Sequence, residues 1–103
     1  MTRQHLPNRR PNESIAVEFE GARYTVTIGY RIDGKPAEVF CHGARIGSGM
    51  DRLLDDACVT LSLLLQYGVD PAVLAHSMGR LHNGDAAASI IGAMVNIMAA
   101  RHG

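Results

Sequence analysis

The sequence predicts an α+β domain in which a three-stranded antiparallel meander is followed by three helices packed on one face. Before about Cys41, apolar residues recur at every second position, which is the period of a strand with one buried face. After Gly49 they recur at every third or fourth position, which is the period of an amphipathic helix. Because the strands precede the helices without alternation, a sheet covered by helices on one face is favoured over a parallel βαβ arrangement.

The totals describe one ordinary domain. The chain has 103 residues, of which 47% are hydrophobic, and its ten basic and ten acidic side chains cancel. This balance gives no overall field that would attract nucleic acid or a membrane surface. The apolar stretch from Ala86 to Ala100 is shorter than the roughly twenty residues of a membrane span. No signal peptide is evident, so the two cysteines predict reduced thiols and a cytoplasmic location.

The first 13 residues are predicted to form an extended basic arm, and residues 14–103 a single domain. Arg3, Arg9 and Arg10 lie in this arm, and no acidic residue precedes Glu13. Such an arm can dock on an acidic partner or on phosphates, and it can equally be a solvated tail.

Three strands are expected in the first half of the chain. The first begins at Ser14 and directs Ile15, Val17 and Phe19 to one face, and Gly21-Ala22 then makes a short turn. The second strand ends near Tyr30. Asp33-Gly34 is the strongest hairpin signal, because both central positions of the favoured turn need positive φ. The third strand occupies residues 37–41.

The first helix follows Gly49. Its apolar stripe contains Met50, Leu54, Ala57, Leu61 and Leu64, widened by Leu53, Cys58 and Leu65, and its polar side contains Asp51, Arg52, Asp55, Asp56 and Ser62. Ser48 is the expected N-cap, with Asp51 in the capping-box position. Gly68 is expected to end the helix in the left-handed conformation.

Two further helices complete the chain. Asp70 is the expected cap of a second helix with Pro71 at its first position, and Asp85 is the expected cap of a third. The third helix is apolar around most of its circumference, with Ile90, Ile91, Met94, Val95, Ile97 and Met98. A small domain has little interior to surround such a helix, so the sequence predicts a homo-oligomer formed through it.

The segment "CHGARIGSGMDR", Cys41 to Arg52, joins the sheet to the first helix. It does not fit the Walker pattern counted from Gly43, because Ser48 stands where the second glycine belongs and no lysine follows it. No G-x-G-x-x-G occurs in it either. Backbone N–H groups at a helix start attract anions, and arginines lie nearby. The candidate anion or nucleotide site therefore consists of Arg45, Gly47, Ser48, Gly49 and Arg52. The alternative is a tight passage from strand to helix that binds nothing.

Other chemistry is weakly represented. Cys41, His42 and Cys58 could converge, but the C-x-x-C and H-x-x-x-H pairs of closed zinc sites do not occur. Both cysteines are expected to be small buried residues, and a Cys41–Cys58 redox pair has no supporting motif. The sequence therefore predicts no metal, no cofactor and no catalytic residues.

Four segments in this order resemble the TSCPD domain, the C-terminal module of adenosylcobalamin-dependent ribonucleotide reductases. They are "LPNRR" (Leu6 to Arg10), "GYRIDGKPAEVF" (Gly29 to Phe40), "LLLQYGVDPAVLAHSM" (Leu63 to Met78) and "AAASIIGAMVNIM" (Ala86 to Met98). The large catalytic barrel of those reductases has no counterpart here, so the resemblance implies a free-standing copy of the module. It also implies biology linked to reductases or deoxynucleotides, without catalytic residues that map onto this chain.

The leading functional hypothesis is a reductase-associated accessory or protein-interaction module without catalytic activity of its own. Its expected partner is a ribonucleotide reductase or a nucleic-acid-processing protein. The alternative is a nucleotide- or anion-binding regulatory domain linked to deoxyribonucleotide metabolism. An enzyme that uses Cys41 and His42 is the third and weakest hypothesis.

Overall fold

A computed structural model describes residues 11–43, 49–81 and 86–102. The described part confirms the α+β class, with three strands followed by three helices. The elements are β1 (Asn12–Phe19), β2 (Ala22–Tyr30), β3 (Pro36–Gly43), α1 (Gly49–Gln66), α2 (Pro71–Ser77) and α3 (Ile90–His102).

The sheet is antiparallel, with the strands in the order β1-β2-β3. Ile15 pairs with Val26, and Val26 pairs with Cys41, so the apolar positions of all three strands line the same face. The helices supply the other half of the core, with Leu54, Leu61 and Leu65 from α1, Ala75 from α2, and Ile90, Met94, Val95 and Met98 from α3. The apolar residues that alternate along the strands before Cys41 therefore pack in one core with those that recur at helical spacing after Gly49.

The hairpin turns differ from the expectation. Asp33 does not have positive φ; Gly34 does, at +88°. Gly34 N–H donates to the Arg31 carbonyl, and Arg31 N–H donates to the Lys35 carbonyl, which makes a longer loop with a bulge. The turn with positive φ at both central residues is instead Glu20-Gly21, with φ of 50° and 76°. The Asp33 carboxylate explains the longer loop at Asp33-Gly34, because it accepts hydrogen bonds from the Lys35 N–H and the Arg31 guanidinium.

Strand β1 begins at Asn12, before the expected start at Ser14. The alternation of apolar residues does not reveal the first two residues of this strand, because Asn12 and Glu13 are both polar. Tyr30 N–H donates to the Pro11 carbonyl, and the Tyr30 hydroxyl donates to the Glu13 carboxylate. Glu13 also forms an ion pair with Arg101 near the end of α3, so the start of β1 is joined to α3 as well as to β2.

Helix α1 ends as predicted, with Gly68 at a φ of +94°. Helix α2 also begins as predicted, because the Asp70 carboxylate accepts from the Ala72 N–H and Pro71 occupies the first turn. Helix α3 does not begin after Asp85. It starts at Ile90, where the Ser89 hydroxyl accepts from the Gly92 N–H, and the preceding Ala87 forms a bridge with Arg80.

The apolar circumference of α3 has an explanation within one copy of the chain. Met94, Val95 and Met98 are fully buried, and Ile91 and Ile97 are partly buried. The described residues of α3 carry no exposed large apolar side chain. Self-association through α3 therefore stays a prediction without an exposed surface to support it. None of the helices in the described ranges combines the length and apolarity needed to cross a membrane.

Candidate functional site

Only part of the predicted anion site lies within the described residues. Arg45, Gly47 and Ser48 lie outside them, as do Arg3, Arg9 and Arg10 of the arm. Gly49 is the first residue of α1, and Arg52 is exposed on its first turns. Asp51 contributes a negative charge to the same first turn, and a carboxylate there competes with a bound anion. The anion site stays a prediction.

The side of α1 that faces the sheet edge carries three polar or sulfur-containing residues at a spacing of four. The Ser62 hydroxyl accepts from the Val39 N–H at 3.0 Å and donates to the Val39 carbonyl at 3.2 Å. The Gln66 amide donates to the Ala37 carbonyl at 3.1 Å, and the Cys58 sulfur hydrogen-bonds to the backbone of Cys41. Four helical residues rise about 6 Å, and two strand residues rise about 6.6 Å, so the two spacings match.

These contacts close the outer edge of β3, which would otherwise present unpaired backbone groups. Ser62 was expected on the solvent side of α1, and that expectation is wrong, because the residue is buried against β3. The signal that could have found this edge was a run of small or polar residues at positions 58, 62 and 66 within the buried stripe. Periodicity alone treats such residues as interruptions of an apolar face.

Cys41 and Cys58 are both buried in the core, as the sequence predicted, and both are free thiols. Burial raises the pKa of Cys41 to about 11, and Asp51 and Asp55 add to the shift. Burial likewise raises the pKa of Cys58 to about 12, helped by Cys41 and Asp55. Near neutral pH both sulfurs are held as protonated thiols, which are poor nucleophiles and poor metal ligands.

The buried thiols predict a loss of stability at alkaline pH. Their pKa values lie above the ordinary value of 9.0, so the unfolded chain releases these protons first. Stability is then unaffected below about pH 9 and falls as the pH rises from about 9 to about 12. We expect Cys58→Ala to flatten this part of a pH profile of urea unfolding, whatever its effect at pH 7. An unchanged slope in the variant would contradict the assignment. The partly buried Tyr30, whose pKa is raised to about 12, adds a further loss in the same direction.

A groove of about 540 Å³ lies between the β1–β2 turn and α3. Its apolar floor includes Phe19 and Ile97, Asn96 adds an amide, and the carboxylates of Glu18 and Glu20 stand beside it. The Glu18 carboxylate is already paired with Arg23 at 3.2 Å. This arrangement can hold an apolar group that carries a positive charge. No pattern in the sequence indicates the groove, because its walls come from segments that lie far apart in the chain.

The part of the chain that the structure describes contains no candidate set of metal ligands. In residues 11–43, 49–81 and 86–102, no group of three or more His, Cys, Asp or Glu side chains could hold an ion. His42 lies on the exposed face of the sheet, because it pairs with Thr25 on the side opposite to the core. Cys41 and His42 thus point to opposite faces of β3, and they do not form a nucleophile–base pair.

Comparison with known proteins agrees with the motifs. A family model for the TSCPD domain matches residues 3–102. A vitamin B12-dependent ribonucleotide reductase from Rhodopirellula baltica is 30% identical over 74 residues, which make up 72% of this chain and 7% of the reductase. No solved structure matches the chain. Since the family model spans nearly every residue, and the strand and helix segments that resemble the family take their places in a single core, this chain belongs to the TSCPD domain family.

Proposed function

We propose that this chain is an interaction module that docks on a ribonucleotide reductase, or on a protein that processes nucleic acid, and that catalyses no reaction alone. Docking uses the arginines of the N-terminal arm, Arg3, Arg9 and Arg10. The similarity to a vitamin B12-dependent ribonucleotide reductase supports the choice of partner. The chain spans only 7% of that reductase, so any shared role concerns a small part of it.

The observation that favours an interaction role is the amount of exposed apolar surface. Ten large apolar side chains are exposed among the described residues, and five of them lie on the single helix α1: Met50, Leu53, Val59, Leu63 and Leu64. Exposed apolar residues gathered on one element are typical of an interaction surface. The two thiols, by contrast, are buried and protonated, which does not favour catalysis through Cys41. Exposed apolar side chains support association with protein rather than chemistry on a small substrate.

The docking experiment removes the arm without disturbing the sheet. A variant without residues 1–10 keeps the Pro11 carbonyl that accepts from the Tyr30 N–H, so we expect it to retain the unfolding temperature of the intact chain. The probe is a vitamin B12-dependent ribonucleotide reductase from which the segment that matches this chain has been deleted. We expect the intact chain to bind this probe, with an affinity that falls as salt is added, and the truncated chain to lose binding.

The matched variants are the triple substitution Arg3→Ser, Arg9→Ser, Arg10→Ser and the single substitution Arg23→Ser. Arg23 is an exposed arginine outside the arm, with a side chain 74% exposed, so its loss controls for a general charge effect. Equal binding by the truncated and intact chains would show that the arm has no part in docking. No binding by the intact chain would end the assignment of this partner.

Nucleotide binding at Arg45, Gly47, Ser48, Gly49 and Arg52 remains the alternative. It predicts a rise in melting temperature when a deoxynucleoside triphosphate is added, and Arg45→Ala and Arg52→Ala are expected to remove that rise. A melting temperature that no nucleotide changes would exclude the alternative.

A further inference from the structure

Helix α1 carries a second apolar stripe on the side that faces away from the core. Its residues recur at alternating spacings of three and four, the spacing of positions a and d in a coiled coil. We name this stripe the outer seam. It consists of Met50, Leu53, Ala57, Thr60, Leu64 and Tyr67.

The outer seam is exposed at every position except Ala57, which is half-buried. Leu53 is 62% exposed and Leu64 is 36% exposed, and Met50 and Tyr67 at the two ends are exposed as well. The Thr60 hydroxyl already donates to the Asp56 carbonyl within the helix, so covering the seam leaves this hydroxyl satisfied. The seam contains no charged residue. A heptad spacing of this kind selects a helix as the partner, since only a helix matches it over several turns.

The order of side-chain sizes indicates which helix fits. Large residues stand at both ends of the outer seam, and the small residues Ala57 and Thr60 stand at its centre. When two copies of α1 cross in an antiparallel arrangement, Met50 lies opposite Tyr67, Leu53 opposite Leu64, and Ala57 opposite Thr60. Small side chains then meet at the centre, where the two helix axes approach most closely. This palindrome of sizes is what a two-fold interface requires, because each copy presents the same surface to the other.

We propose that two copies of this chain associate through their outer seams as an antiparallel pair of α1 helices. The seam is a strip about 27 Å long, the length of an 18-residue helix. Two such strips remove on the order of 1,000 Å² of surface from water, which is near the lower limit for a specific interface. The zero formal net charge of the chain places no long-range repulsion between the copies. The pair is therefore a weak, reversible dimer with a dissociation constant in the micromolar range.

The test is sedimentation of the 103-residue chain over a range from about 1 µM to about 1 mM, with substitutions that report the register. Leu53→Lys places an ammonium group against Leu64 of the partner copy, and we expect it to raise the dissociation constant at least about tenfold. Leu64→Glu has the same effect from the other side. The double variant Leu53→Lys, Leu64→Glu restores the dimer, because lysine and glutamate then face each other at both ends. A parallel pair would bring like charges together instead.

Val73→Lys is the matched control. Val73 is 60% exposed and lies on α2, outside the outer seam, so this variant is expected to dimerise like the unaltered chain. Circular dichroism and the unfolding temperature confirm that each variant is folded. The proposal is overturned if the unaltered chain is a monomer at about 1 mM, or if the Leu53→Lys variant dimerises normally. It is equally overturned if the Val73→Lys variant dissociates, or if the double variant stays monomeric. These outcomes do not depend on reductase binding, which is measured separately.

Discussion

Replacing Leu65 by alanine is expected to lower the free energy of unfolding by about 2–5 kcal/mol. Leu65 is 2% exposed and lies in the core cluster with Val39, Leu61 and Met98. Removing its isobutyl group deletes apolar burial and leaves a cavity that the sheet and α3 cannot fully close. Urea unfolding monitored by circular dichroism gives the change as a shift of the midpoint.

The neighbouring Leu64 provides the control, because it is the same residue type on the same helix. Leu64 is on the outer seam, so Leu64→Ala is expected to cost less than about 1 kcal/mol at concentrations where the chain is monomeric. Equal losses for the two variants would show that the core side of α1 has been assigned to the wrong residues.

Replacing Ser62 by valine is expected to lower the free energy of unfolding by about 2–6 kcal/mol. Valine has almost the same shape as serine with an added methyl group, but it cannot hydrogen-bond to Val39. The N–H and carbonyl of Val39 both lose their partner at the closed edge of β3, and each unsatisfied buried group costs about 1–3 kcal/mol. The amide proton of Val39 is also expected to exchange faster with solvent in this variant than in the unaltered chain.

Thr60→Val is the matched control for the hydroxyl group. The Thr60 hydroxyl bonds only to the Asp56 carbonyl of its own helix, and the residue is exposed, so its loss is expected to change stability by less than about 0.5 kcal/mol. A loss for Ser62→Val as small as that for Thr60→Val would mean that the β3 edge is satisfied by other means.

The closed edge has a consequence for solubility as well as for stability. An edge strand with unpaired backbone groups is a template for pairing with another chain. Along β3, α1 covers this template with Ser62 and Gln66, whose hydrogen bonds reach Val39 and Ala37. Helix α1 therefore has two roles. Its inner side closes the sheet, and its outer seam remains available for a second copy.

Much of the fold follows from local signals. Gly68 ends α1 in the left-handed conformation, and Asp70-Pro71 begins α2, because each of these features depends on the backbone preferences of one or two residues. The strands follow from alternation, which needs only neighbouring residues. The family membership also follows from short motifs in a fixed order.

Features that depend on distant segments were harder to infer. The start of β1 at Asn12 depends on Pro11 and Glu13 meeting Tyr30, and the start of α3 depends on the bridge between Arg80 and Ala87.

The sequence by itself determined the order and type of the elements, because strand and helix periods are properties of adjacent residues. Only the tertiary structure decided which side of α1 is buried. Apolar residues surround much of this helix, and periodicity cannot distinguish Leu65, which packs in the core, from Leu64, which faces solvent. The choice is made by the edge of β3, since the hydrogen bonds of Ser62 and Gln66 to that strand turn one side of the helix inward and leave the outer seam exposed.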